Sequence, residues 1–214
     1  ARADGAPRQA AAEGGDIMKH DIILAGVGGQ GILSIAAVIG YAALDSGLHL
    51  KQAEVHGMSQ RGGDVQSHLR IADHQIESDL VPSGSADMIV SVEPLESLRY
   101  LRYLSPEGWV ITNSTPFANI PTYPEVGGIL ERINALPRTV VVDADAMAKE
   151  AGSARAANMV IAGVASHFLS IEAGAFERAI TAVFGDKGDR IVATNLAAIA
   201  AGRDAARSRV ESLA

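Results

Sequence analysis

Cysteine is absent from the 214 residues, which excludes structural disulfides, thiolate zinc sites, cysteine nucleophiles and an iron–sulfur cluster ligated by this chain. Aromatic residues are scarce at 4%, so the core has to be built from Ala, Val, Ile and Leu, a mixture suited to helices packed closely on a sheet. Basic residues are outnumbered, 18 Lys and Arg against 25 Asp and Glu for a net charge of −7, and that balance disfavours a broad grip on phosphate backbones. Nucleic acid is not an expected partner. No apolar run reaches the ~18–20 residues of a membrane-crossing helix, and the first residues lack the charged-then-apolar order of a signal peptide. A soluble cytoplasmic protein is the expectation.

The composition that remains is globular, 48% hydrophobic and 20% charged, and the length suits one domain with or without a small appendage. Residues 1–17 carry six Ala, three Gly and no apolar periodicity and are expected to form a disordered extension. Residues 22–27 are a short apolar run closed by glycines, the pattern of a central parallel strand buried on both faces. Residues 32–44 are almost wholly apolar, with small Ala36, Ala37, Ala42 and Ala43 that let a helix lie close to a sheet, and Gly47 supplies its stop. A second strand is expected over 48–55. Val65, Ser67, Leu69 and Ile71 then alternate with Gln66, His68 and Arg70, the period of a strand with one wetter face, and Asp73-His74-Gln75 reads as a hairpin turn into a further strand over 76–80. That stretch breaks βαβ alternation and adds antiparallel strands near residues 64–80. Further strands are expected at 88–92, 109–112 and 139–142, with helices from Pro94 and over 125–136. A helical portion from about 145 to 206 precedes a tail, 207–214, expected to fray. The fold class is α/β: a three-layer Rossmann-like domain with a mostly parallel sheet, an antiparallel addition and a helical C-terminal portion.

Gly26, Gly28 and Gly31 satisfy G-x-G-x-x-G between strand and helix, the context in which backbone amides and a helix dipole meet an anionic group. Gly29 and the polar Gln30 widen that surface, and Glu54, about twenty residues on, stands where a ribose ligand is expected. The turn reads equally as dinucleotide binding or as a glycine turn needed only for tight packing. Glu54, His56, Ser59, Gln60 and Arg61 bring an acid, an imidazole, a hydroxyl, an amide and a guanidinium into one short loop framed by Gly57, Gly62 and Gly63. At the carboxyl end of a strand this is where open α/β sheets place ligands, and a ligand-facing or partner-facing loop is favoured over a solvated one. His56 and His68 find no third ligand, so no metal site is expected. Asp143 and Asp145 make a carboxylate pair or, as is commoner at a strand-to-helix junction, include an N-cap. Ser59 lacks the G-x-S-x-G elbow of a hydrolase nucleophile. Arg99, Tyr100, Arg102 and Tyr103 form a stripe suited to a subunit contact or to a solvated helix face.

At Gly26-Val27-Gly28-Gly29-Gln30-Gly31-Ile32-Leu33, together with Glu54-Val55-His56-Gly57-Met58-Ser59-Gln60-Arg61-Gly62-Gly63, the sequence resembles the gamma-type domain of the 2-oxoacid:ferredoxin oxidoreductase family, over about residues 18–206. The second run is the more specific. The resemblance implies the small subunit of a hetero-oligomeric complex that oxidatively decarboxylates aryl pyruvates such as indolepyruvate, passes electrons to ferredoxin and leaves an acyl-coenzyme A product. It further implies that thiamine diphosphate and [4Fe-4S] clusters sit on a large partner subunit, that coenzyme A is the co-substrate, and that this chain binds no cofactor by itself and does not turn over alone. The lack of cysteine agrees with that division.

On this reading no catalytic residue belongs to the chain. Gly26, Gly28, Gly29, Gln30 and Gly31 would hold phosphates of coenzyme A or a structural anion. His56, Met58, Ser59, Gln60 and Arg61 would line the active site or subunit junction, with Arg61 contributing a fixed positive charge and planar donors suited to a carboxylate or phosphate. Two other classes stay open: a stand-alone NAD-dependent dehydrogenase, favoured by the turn and Glu54 but without a second catalytic domain in view, and a noncatalytic nucleotide-binding assembly module.

Overall fold

The computed structural model describes residues 18–56, 62–118 and 122–212. Residues 1–17, and with them the expected extension, lie outside these, as do Gly57, Met58, Ser59, Gln60 and Arg61 of the polar loop. Six strands form one sheet: β1 (Lys19–Val27), β2 (His49–His56), β3 (Asp64–Ala72), β4 (Ala86–Ser91), β5 (Leu104–Asn113) and β6 (Thr139–Val142). Their order is β2-β3-β1-β4-β5-β6.

The apolar run of β1 explains its central place. Alternate side chains leave a strand on opposite faces, and here both sets are buried. Ile22 and Leu24 join a core built with α1 (Ile32–Asp45), α4 (Ala144–Glu150), α5 (Ala157–Ser166), α6 (Ala173–Phe184) and α7 (Asp189–Glu211). Ile23 and Ala25 face the other way, toward Ile89 and Tyr100. On that second side α2 (Pro94–Arg99) and α3 (Val126–Asn134) cover β5 and β6 through Leu95, Leu98, Ile129 and Ile133. The result is the expected three-layer α/β architecture. Pairing is parallel through β1, β4, β5 and β6, and β3 alone runs against its neighbours β1 and β2.

The antiparallel addition is therefore real, but its composition differs from the expectation. β3 takes its second partner from β2 and not from residues 76–80, which form no strand. Side chains satisfy that segment's backbone instead of a ladder. Arg70 Nη1 donates to the carbonyls of Ser78 at 2.9 Å and Leu80 at 3.4 Å, and Val81 N–H donates to His68 Nδ1 at 3.0 Å. Arg70 is itself anchored by the fully buried carboxylate of Asp21, with Nε at 2.6 Å and Nη2 at 3.2 Å.

Helix ends follow local chemistry. Pro94 opens α2 behind an N-cap, Glu93, whose side chain accepts from Glu96 N–H, and Asp143 caps α4 by accepting from Ala146 N–H at 2.9 Å. α1 stops where Gly47 takes φ +76° and Leu48 N–H reaches back to Ala43 O at 3.0 Å, a glycine C-cap. The arginine and tyrosine stripe is not presented as one surface. The chain turns after Arg99 and carries Tyr100 into the core, 5% exposed, while Tyr103 packs edge-on against His68. The tail also departs from the expectation: α7 continues to Glu211, because Ala206 is fully buried and Arg209 Nε donates to Thr139 O on β6.

α5 and α7 make backbone-level contact. A Cβ added at Gly163 would lie 2.1 Å from Ile199 O, and one at Gly202 would lie 2.0 Å from Val160 O. Backbone cannot yield as a side-chain tip can, so overpacking here separates two helices. Gly163→Ala and Gly202→Ala are each expected to lose about 1–3 kcal/mol, a fall in melting temperature of about 2–4 °C per kcal/mol. Thermal unfolding of either variant at the parent temperature would refute this packing.

A candidate ligand site at the carboxyl ends of the strands

α1 follows β1 onto one face of the sheet and α2 follows β4 onto the other, so the neighbouring ends of β1 and β4 form a topological switch point, where open α/β sheets bind ligands. Val92 N–H donates to Ala25 O at 3.1 Å and carries the pairing up to that point. Gly26 is needed for packing there. A Cβ on it would meet Val92 Cγ2 at 2.4 Å and Ile32 Cδ1 at 2.9 Å.

Gly29 and Gly31 take φ of +102° and +80°, a region that costs other residues about 1–2 kcal/mol. The turn is closed by its own atoms. Gln30 N–H donates to Val27 O at 3.1 Å, and Gln30 Oε1 accepts Val27 N–H at 2.8 Å. The Gln30 amide oxygen is thus spent on closing the loop, while the residue still lines the cleft on the far flank of the turn. Asn158, at the start of α5, donates Nδ2 to Gly31 O at 3.1 Å and occupies the space a Cβ on Gly31 would need. The amides of Gly29, Gly31, Ile32 and Leu33 meet no acceptor among the described residues, which leaves a row of donors at the head of α1.

The two sequence motifs meet at this turn. Gly28 N–H donates to Gly63 O at 2.8 Å, and Gly62 N–H reaches Gly28 O at 3.4 Å. The end of the polar loop is therefore tied to the glycine turn, while the loop's own Met58, Ser59, Gln60 and Arg61 lie outside the described residues. Glu54 is exposed on β2 and lines a cleft of about 460 Å³ with Gly28, Gly29 and Leu33. It does not occupy the place of a ribose-binding acid on the strand beside β1, because β3 stands between them and sets the two strands ~10 Å apart.

On the other flank of the turn a cleft of about 500 Å³ is bounded by Gly31, Asn113, Phe117, Asp145 and Asn158. Asn113 organises its floor: Nδ2 donates to Asp145 Oδ2 at 2.8 Å, and Oδ1 accepts Ala144 N–H at 3.0 Å. Of the expected carboxylate pair, Asp143 is a cap and Asp145 a partner of Asn113. Glu93, only 1% exposed, accepts from Tyr123 OH and from Phe117 N–H at 3.4 Å, as well as from Glu96 N–H at 2.8 Å. It thereby holds Phe117, which lines this cleft, and Tyr123 further along the chain. Burial, and then the bond to Glu93, raise the Tyr123 phenol above its ordinary range. Glu96 is likewise raised by burial, against the opposing pull of Arg99.

His68 belongs to the fold and not to the site. Burial, followed by the charges of Arg102 and Arg70, lowers its pKa, and Nδ1 is taken by Val81 N–H. No group of three or more His, Asp or Glu side chains able to hold a metal occurs among the described residues, and none of their helices is long and apolar enough to cross a membrane. Glu93, Asn113 and Asn158 were not singled out by sequence. The available signals were an acid before Pro94 and a lone Asn entering the apolar stretch of α5.

Over residues 21–205 the sequence matches the family described as pyruvate ferredoxin/flavodoxin oxidoreductase. The chain belongs to that family. Within it, the chain is 36% identical to the indolepyruvate oxidoreductase subunit IorB of Archaeoglobus fulgidus over 198 residues, covering 89% of this chain and 97% of that protein. The fold is shared with the gamma subunit of a keto/oxoacid ferredoxin oxidoreductase from Geobacter sulfurreducens at a TM-score of 0.64 and 22% identity, covering 88% of this chain and 99% of that one. It is also shared with a 2-oxoglutarate:ferredoxin oxidoreductase from Magnetococcus marinus, whose structure contains 2-oxoglutarate, coenzyme A and succinyl-CoA. That match has a TM-score of 0.70 at 21% identity and spans 89% of this chain but 31% of that one. The pyruvate ferredoxin/flavodoxin oxidoreductase membership fits a six-stranded domain whose open turn lies at a switch point.

Tyr123→Phe removes one donor to a buried carboxylate, and a bond to a charged group is worth about 1.5–3 kcal/mol. The variant is expected to unfold at lower temperature and to be cut faster by protease at residues 114–118 and 122–125. Unchanged cleavage there would dissociate Glu93 from the holding of Phe117 and Tyr123.

Proposed function

We propose that this chain is the small, noncatalytic subunit of an indolepyruvate:ferredoxin oxidoreductase. In the proposed reaction an aryl pyruvate, coenzyme A and two oxidised ferredoxins give an aryl-acetyl-coenzyme A, carbon dioxide, a proton and two reduced ferredoxins. The observation that carries the reading is the junction of Gly28 with Gly62 and Gly63, which joins the open amides of the glycine turn to the polar loop at a switch point. The likeness to IorB across nearly its whole length supports the choice of aryl substrate.

A redox reaction of this class needs an electron carrier, and the donor set here does not fit one. With no cysteine in the sequence, thiolate ligation of a cluster is impossible in this chain. The iron–sulfur clusters are therefore assigned to the large partner subunit, and the thiamine diphosphate is placed there with them as part of the same proposal. Thiamine diphosphate, when bound there, supplies the electron sink for decarboxylation. This chain's own part is to shape a wall. The amides of Gly29, Gly31, Ile32 and Leu33 would hold a phosphate of coenzyme A or a structural anion. His56, Met58, Ser59, Gln60 and Arg61 would face the partner or the substrates and help exclude water where the two subunits meet.

The large subunit and this chain, produced together, are expected to co-purify and to reduce ferredoxin with indolepyruvate and coenzyme A, while this chain alone shows no turnover. In the reconstituted complex Arg61→Ala should raise the KM for coenzyme A about tenfold, the loss of one charge-assisted contact, or weaken assembly. Kinetics and assembly that both match the parent remove Arg61 from the site. Full turnover by the isolated chain would overturn the whole reading.

A further inference from the structure

The chain is acidic overall, yet its described surface holds a third cleft, of about 560 Å³, whose charged lining is entirely cationic. Arg155, Lys187 and Arg190 line it together with Ser153, Thr194 and Asn195, and no carboxylate does. Among the described residues none of the three cations has a carboxylate in ion-pair distance. Asp186 and Asp189, their sequence neighbours, are exposed and stay outside the lining.

The cleft is assembled from distant segments: the turn before α5, the end of α6 and the first turns of α7. Three long basic side chains brought to one concavity repel one another unless an anion joins them. One wall is apolar, from Phe184 and the partly exposed Ile191, and Lys187 Nζ already rests 5.0 Å from the Phe184 ring centre. An apolar wall beside convergent cations and a hydroxyl suits a ligand with a flat aromatic body and attached phosphates.

We propose that this cleft is a nucleotide-phosphate site separate from the glycine turn. Arg155 and Arg190 bind phosphate oxygens as planar forks and Lys187 as a point charge, with the Ser153 hydroxyl as a further donor; the Thr194 hydroxyl is already given to Arg190 O at 2.9 Å. Arg155 and Asn158 also line the cleft beside the glycine turn, so the two concavities adjoin. The phosphate can come from a free nucleotide or from the nucleotide end of coenzyme A. Only the second source rests on the proposed activity.

Calorimetric titration of the full chain, without partner, with ADP, adenosine and coenzyme A tests the site. ADP should bind, adenosine at least about tenfold more weakly, and affinity for ADP should fall as salt rises. Lys187→Gln and Arg190→Gln should each weaken ADP about tenfold, the scale of a charge-assisted contact, and the exposed positions of both side chains leave the fold unaffected. Competition of coenzyme A with ADP supports the site and names coenzyme A as the source, whereas ADP binding unopposed by coenzyme A supports it with a free nucleotide. Failure of the chain to bind ADP overturns the site and leaves the cations to an acidic segment of the partner, and equal ADP binding by the double variant overturns it as well. Because no turnover is measured, neither failure bears on the oxidoreductase reading.

Discussion

The close approach at Gly26 is the constraint on which the rest of the structure depends. β1 is buried on both faces and has to leave the sheet while still in contact with β4, and the Val92 side chain occupies the space where any other residue would carry its Cβ. That contact draws the ends of β1 and β4 together. The chain can then escape only through a turn with left-handed residues, which Gly29 and Gly31 supply. The position of α1, the open amides at its head and the two clefts flanking the turn all follow from this one crowded strand end.

Polar groups buried around that constraint are each matched to a partner, and the matching shapes the site more than the glycines do. Asn158 holds Gly31 from a segment far along the chain, Asn113 holds both Asp145 and the first amide of α4, and Glu93 gathers donors from three directions. A buried carboxylate without a cation is tolerable only when hydrogen bonds replace its hydration. Glu93 meets that condition by recruiting Phe117 N–H and Tyr123 OH, so the same interaction that makes its burial possible also places Phe117 at the cleft.

The layers, the central strand and the position of the glycine turn were legible in the sequence, because each depends on local signals. The apolar run 22–27, the alternation from Val65 to Ile71 and the caps at Pro94, Asp143 and Gly47 need no knowledge of what packs against them. The partner of β3 was not legible, since a strand at 76–80 and a chain held by Arg70 present the same apolar and polar letters, and only the location of Asp21 decides between them. Tyr100 misled for a similar reason: a tyrosine spaced like a surface residue turns inward where the helix stops one residue earlier. The sequence pointed to the glycine turn as a place of interest, but the bond of Gln30 to Val27 depends on the turn's backbone geometry and the separation of Glu54 from β1 is a tertiary fact. The cationic cleft was invisible because its members come from three helical segments with no shared spacing.

The contact of α5 with α7 through Gly163 and Gly202 carries a dynamic consequence. Where two helices meet backbone to backbone, sliding one past the other would drive carbonyl oxygens into main-chain atoms. Such a pair behaves as a single rigid strut, closely packed interiors being nearly incompressible. Movement around the strand ends that keeps this pair packed falls to the connecting segments, with α5 and α7 serving as the fixed frame against which they move.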